Sequence, residues 1–214
     1  VAANEAVWSW LAETLGMPSL LATPARPLAE IALAPSRLDA SVRAHFVQTL
    51  GEDRVRDDQF ERAFHARGRS YHDLLHLRAG DLSTAPDAVL YPRGPDEVLD
   101  ILKFASENAI AVIPFGGGTS VVGAVTAAAE GFKTVVALDM SGMDRLIAVD
   151  RTSETATAEA GIYGPALDTA LRAQGVVLGH YPQSFEFSTL GGWIAHRGAG
   201  QQSRRYGRAD DWLV

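Results

Sequence analysis

Seven residues, Pro114-Phe115-Gly116-Gly117-Gly118-Thr119-Ser120, constrain this chain more than any other stretch, because they follow directly on the apolar run at 110–113. Three consecutive glycines let the backbone adopt positive φ and leave successive N–H groups uncovered by side chains. Thr119 and Ser120 add hydroxyl donors. Such a concavity suits an anion, usually a phosphate; the competing reading of a lone glycine triplet is a flexible surface loop. A Walker loop needs Lys and then Ser or Thr after its last glycine, and Thr119 stands there instead. A Rossmann fingerprint fits in part, with Gly116 and Gly118 as its first glycines and Asp139 ending a strand about 20 residues later. Val121 occupies the third glycine's place, which disfavours NAD.

The surrounding pattern is α+β. Residues 1–87 read as helical and irregular. After Asn4, Trp8, Leu11 and Leu15 recur at helical spacing until Gly16 and Pro18; residues 23–35 form a proline-rich loop. A second helix begins at Ser36 with Asp39 three residues on, carries the stripe Leu38, Val42, Phe46, Leu50, and ends at Gly51. Two further helices are predicted over 58–66 and 71–77. From residue 88 strands and helices alternate: strand 88–91, helix 96–107 and strand 110–113 make one β-α-β unit. Strands at 135–138, 146–149 and 155–159 suggest a meander. Pro165 opens a helix to Gln174, Gly175 closes it before a strand at 176–178, and a last helix runs from Thr189 or Leu190 to about Arg197.

Composition removes several chemistries. None of the 214 residues is Cys, which excludes disulfides, zinc–thiolate sites, iron–sulfur clusters and cysteine nucleophiles. A reducing, cytoplasmic setting is the simplest expectation. The net charge of -7 argues against a nucleic-acid partner, and no apolar run approaches the ~20 residues of a membrane span. The chain starts at Val1 and stops within an apolar stretch at Trp212-Leu213-Val214, so a fragment of a longer protein is expected.

A second polar, glycine-bearing cluster lies about 65 residues after the first, at His180-Tyr181-Pro182-Gln183-Ser184-Phe185-Glu186-Phe187-Ser188-Thr189-Leu190-Gly191-Gly192-Trp193. By itself it reads as tight helix packing; two such clusters in one α+β domain favour an extended diphosphate ligand between them. His72 and His76 stand at i, i+4, but a zinc-protease helix has Glu where Asp73 stands, and a packed helix end is the favoured reading. No metal site is assigned. Arg204, Arg205 and Arg208 form a basic cluster that reads equally as a phosphate contact or a solvated turn.

PFGGGTS at 114–120, EAGI at 159–162, PQSFEFSTLGGW at 182–193 and RRYGRADDWLV at 204–214 together resemble the FAD-binding domain of the vanillyl-alcohol-oxidase (PCMH) type flavoproteins. Within that superfamily the chain is most similar to the alkylglycerone-phosphate synthase subfamily and its bacterial relatives. RAFHARGRSYHDLLHLRAG at 62–80 and the opening VWSWLAETLGMP share the similarity.

The resemblance implies an incomplete PCMH-type FAD-binding domain at 88–214, built of two α/β subdomains, preceded by an N-terminal helical region at 1–87, with a C-terminal cap domain missing. It implies that Pro114, Phe115, Gly116, Gly117, Gly118, Thr119 and Ser120 wrap the FAD pyrophosphate. Gln183, Ser184, Thr189, Gly191 and Gly192 would line the other side, Gly161 a strand end, and His196, Arg197, Gly198 and Ala199 the next contacting segment. Gln183 departs from an acidic residue usual in the synthases, and Ala199 from Ser. Some members attach FAD through a His in the glycine-rich loop, where this chain has Thr119; noncovalent FAD is therefore expected.

The implied activity is exchange of an acyl group on dihydroxyacetone phosphate for a long-chain alkyl group, on a small-molecule or lipid-phosphate substrate. Catalytic residues are expected beyond Val214, so none is assigned and this fragment by itself would be inactive. The alternatives are an FAD-linked dehydrogenase of D-lactate or glycolate type and a flavin-binding module without turnover. A homodimer and peripheral membrane contact are compatible with either enzyme.

Overall fold

The computed structural model describes residues 4–18, 24–127 and 130–214. Thr23, the first residue of the predicted proline-rich loop, lies outside them.

Helix starts follow the local capping chemistry. Asn4 caps α1 (Glu5–Thr14), its side-chain oxygen accepting the Ala6 N–H at 3.1 Å. Asp39, not Ser36, caps α2 (Ala40–Leu50), one carboxylate oxygen accepting the N–H groups of Ser41 and Val42 at 2.9 Å. Ser36 instead donates its hydroxyl to the Asp87 carbonyl. Asp58 caps α3 (Gln59–Phe64), and Ser70 with Asp73 forms a reciprocal capping box on α4 (Tyr71–Ala79).

Strands β1 (Val55–Arg56), β2 (Ala88–Leu90), β3 (Ile110–Phe115) and β4 (Thr134–Asp139) form one sheet in the order β1-β2-β4-β3. The pairs β2–β4 and β4–β3 are parallel, and β1 adds an antiparallel edge. Every residue of β4 is buried, as expected of a central parallel strand covered on both faces. The helix α5 (Pro95–Glu107) makes the crossover from β2 to β3, with Pro95 in its first turn. Residues of alternate strand positions, Ala88, Leu90, Ile110, Val136 and Leu138, pack with Val42, Phe46 and Leu50 of α2 and Ile101 and Ala105 of α5. The segment before residue 88 therefore builds this core rather than lying beside it. Each fully buried Phe, Leu or Ile there contributes roughly 1.5–3 kcal/mol of transfer free energy.

The second half is smaller. A hairpin of β5 (Leu146–Asp150) and β6 (Thr155–Ala158) forms its own two-stranded sheet, so the predicted three-strand meander is corrected: β4 belongs to the first sheet. Helix α6 (Gly164–Ala173) buries Leu167 and Leu171 against Ile162, Trp193 and Ala209. Gly175, at φ 73°, turns the chain after α6, and 176–178 runs on without a strand partner. Helices α7 (Leu190–Ala195) and α8 (Ser203–Tyr206) complete the chain.

Candidate cofactor site

The parallel strands place their carboxyl ends together, since Leu90 is in register with Leu138 and Phe115 with Asp139. Ligands of open parallel sheets bind at that edge. The glycine loop leaves from it. Phe115 is 1% exposed and turns back beneath Gly118, whose φ of 66° suits glycine; a Cβ there would strike the Phe115 ring at 2.5 Å.

Among the described residues, the backbone N–H groups of Gly116, Gly117, Gly118, Thr119 and Ser120 donate to no protein acceptor. Five successive uncommitted donors thus stand at the end of a parallel sheet, where such a run can serve an anion. Beyond them the Ser120 hydroxyl oxygen accepts the Ala124 N–H at 3.1 Å and shapes the exit turn.

Two segments brace the loop. Thr189 occupies the space a Cβ of Gly116 would take, and the Phe187 carbonyl the space for one on Gly117. The triplet is thus glycine partly because backbone from the second cluster passes against it, a reason the expectation of pyrophosphate approach alone did not contain. On the other side, the Arg69 N–H donates to the Ser120 carbonyl at 2.7 Å, and Gly68 leaves room for that carbonyl. The 140–143 turn is entered from β4 through Asp139, whose carboxylate accepts the Ser141 N–H at 2.8 Å. Gly161 is buried with its Cα against the carbonyls of Met140 and Met143, and its N–H donates to Met143.

Gly116 and Gly117 therefore meet the 187–189 segment, while Gly161 packs on the 140–143 turn. Gly191 and Gly192 lie in the first turn of α7, tied back by the Gly191 N–H to the Ala160 carbonyl at 2.7 Å. Ser184 and Gln183 precede the 185–187 turn; Gln183 is exposed, and the Ser184 carbonyl accepts the Ser188 hydroxyl. His196, Arg197, Gly198 and Ala199 follow at the opposite end of α7, with Arg197 ion-paired to Asp210 at 2.6 Å. His76 is hydrogen-bonded to Asp81 at 2.7 Å, at the end of α4.

Sequence reasoning missed the groups under the loop. Asp139, noted above only for its spacing from the glycines, is buried and bonded through Oδ2 to His65 Nε2 at 2.8 Å. Tyr91 donates to Glu61 at 2.6 Å, and burial together with that bond pushes its phenol well above the ordinary range. Burial raises Tyr163 also, with Asp139 nearby adding to it. A His immediately after a helix and an Asp ending a strand carry no joint signal in sequence, being 74 residues apart.

The matching of known proteins agrees with this geometry. A family model described as FAD binding domain covers residues 86–214. The alkyldihydroxyacetonephosphate synthase of Dictyostelium discoideum is 41% identical over 162 residues, covering 76% of this chain and 26% of that protein. The mitochondrial D-lactate dehydrogenase (cytochrome) of Arabidopsis thaliana is 31% identical over 169 residues, 78% of this chain and 27% of that protein. A solved alkyldihydroxyacetonephosphate synthase superposes with a TM-score of 0.86 at 38% identity, over 90% of this chain and 36% of that one. p-Cresol methylhydroxylase shares the fold, with a TM-score of 0.61 at 16% identity over 78% of this chain and 31% of that one. The chain thus spans about a quarter to a third of the length of the curated relatives it matches. With an FAD-domain match over more than half its length and a loop of free donors at the sheet's carboxyl edge, the chain belongs to the FAD binding domain family of flavoproteins.

Proposed function

We propose that this chain is the cofactor-holding portion of a flavoenzyme of the alkylglycerone-phosphate synthase kind, with FAD bound noncovalently. The observation that carries the reading is the run of five uncommitted N–H groups from Gly116 to Ser120, donors of the kind a diphosphate's oxygens require. The Thr119 and Ser120 hydroxyls add donors, and Thr189, Gly191 and Gly192 bound the site from the second cluster. In this reading Gly161 and Ser184 would line its edges, and His196, Arg197, Gly198 and Ala199 would extend the contact surface beyond α7; Gln183 is exposed.

When bound, FAD supplies the reactive centre for exchanging an acyl for an alkyl group on a lipid phosphate, without net redox change. The chain's own part is to fix the diphosphate and exclude water from it. Thr119 offers no imidazole for covalent attachment, and no cysteine is present for a thioether. Similarity to a D-lactate dehydrogenase supports a second reading, oxidation of a 2-hydroxy acid on the same cofactor domain.

Flavin absorbance of the complete polypeptide separates these readings. Bleaching by acyl-dihydroxyacetone phosphate and not by D-lactate is expected; the reverse pattern establishes the hydroxy-acid enzyme, and bleaching by neither a binding module. Acid or heat should release FAD intact, and flavin remaining on the denatured protein overturns noncovalent binding.

A further inference from the structure

We propose that His65 is a positioning residue for the glycine loop, acting through a proton shared with Asp139. The proposal rests on the FAD reading above and adds a role for the segment preceding the family match.

The ring is 1% exposed and its contacts fix its protonation. Nδ1 lies 2.7 Å from the Glu61 carbonyl oxygen, which can only accept, so Nδ1 carries a hydrogen. Nε2 lies 2.8 Å from Asp139 Oδ2. One further proton therefore lies between Nε2 and Oδ2, since without it two lone pairs would face each other away from water. The other Asp139 oxygen holds the Ser141 N–H, which starts the 140–143 turn against Gly161. The imidazole face meets the Phe115 ring at 4.3 Å between centroids, and Phe115 lies directly beneath Gly118. One side chain thus touches the start of the loop, the end of β4 and the last turn of α3.

The groups facing this pair are few. The Glu61 carboxylate stands 3.7 Å from Nδ1 and accepts from Tyr91; Arg56 and Tyr163 act on the cluster from farther out. The second tie between the same segment and the loop, Arg69 N–H to the Ser120 carbonyl, holds the loop's far end. His65 and Arg69 clamp the two ends of the donor run, which presents its N–H groups to the ligand only while both ends stay put.

His65→Phe keeps an aromatic ring against Phe115 and removes both hydrogen bonds. Its FAD dissociation constant should rise about tenfold or more, the scale seen when outer groups orienting a ligand shell are lost. Amide exchange across 115–120 and 139–142 should quicken without FAD present, while 190–195 stays unchanged. His65→Gln, whose amide N–H reaches Asp139, should restore FAD affinity to within about threefold of wild type, whereas the shorter His65→Asn should not.

Equal FAD affinity in the Gln and Asn variants overturns the proposal, as does a folded His65→Phe protein with unchanged loop exchange. If His65→Phe does not fold, the Gln and Asn pair decides by itself. Failure of wild-type protein to take up FAD sinks the cofactor reading, and the exchange comparison then still decides the role of His65.

Discussion

The two halves of the molecule treat buried polar groups differently. Around the four-stranded sheet, Asp87 is 3% exposed and its carboxylate accepts the N–H groups of Arg37 at 2.9 Å and Val135 at 2.8 Å, with the Arg37 guanidinium at 3.0 Å. Arg62 is buried yet donates to the carbonyls of Pro86 and Ala34 at 2.7 Å. In the half from 146 onward, His180 Nε2, Asp210 Oδ1 and Trp212 Nε1 are buried without a hydrogen-bond partner among the described residues. Both strands of its hairpin stay largely open to solvent. The donor loop grows from the saturated half, and the residues that close over it belong to the looser one. A rigid glycine loop faced by a more loosely bonded wall follows from that division.

The sharpest way to break this picture is at the contact between the halves. Gly117→Val would drive a side chain into the Phe187 carbonyl, which is backbone and cannot swing aside. The expected outcome is nearly complete loss of bound flavin, read as the ratio of flavin to protein absorbance. Gly192→Ala is the companion: its Cβ meets only Thr189 Oγ1 at 3.4 Å, and alanine favours a helix over glycine by up to ~1 kcal/mol. That variant should fold at least as stably as wild type, so weakened FAD binding in it would report direct ligand approach to α7. Full flavin content in Gly117→Val would mean that the loop does not depend on its brace.

Within the saturated half, Asp87→Ala leaves the buried Val135 N–H without its acceptor and frees the Arg37 N–H and guanidinium. A loss of about 2 kcal/mol in unfolding free energy is expected, measured by urea titration. A loss below about 1 kcal/mol would show that water reaches the site and that the half is less closed than its contacts indicate.

How much of this was legible in sequence depends on the range of the physics involved. Asn4, Asp58 and the β-α-β unit are local, and they lie where the pattern put them. The glycine triplet after a buried strand was legible because positive φ and bare N–H groups are properties of the residues themselves. The short run 176–178 looked like a strand from its two Val and one Leu, but strands are made by neighbours, and this segment instead packs Val176 and Leu178 on the second core. Spacing along the chain groups β4 with the hairpin strands, whereas its unbroken apolar run fits the central parallel strand that it forms. The pairing of Val55–Arg56 with β2 and of His65 with Asp139 joins residues far apart in the chain, with no periodicity to announce either.

The smallest expected effect tests the looser half by pH. Glu159 is 6% exposed, and its carboxylate accepts from the Arg145 guanidinium at 2.7 Å and the Arg145 backbone N–H at 2.9 Å. Arg145 thereby holds the Glu159 carboxyl below its usual range, with the guanidinium the larger influence. A carboxyl whose pKa is lowered by folding adds stability that is complete above the unfolded value near ~4.3 and is lost as pH falls through the folded one. The tie joins the start of the hairpin to the entry of Gly161, so acid should loosen 146–162 before it loosens β2, β3 and β4. Arg145 is largely solvent-exposed, which keeps the gain at pH 7 small. Glu159→Gln should therefore cost little at neutral pH and flatten the fall in melting temperature below about pH 4.3. Hydrogen exchange at pH 3.5 should show 146–162 opening ahead of the sheet in wild type. Simultaneous opening of both halves, or an unchanged acid slope in Glu159→Gln, would mean that the hairpin is not the weaker wall.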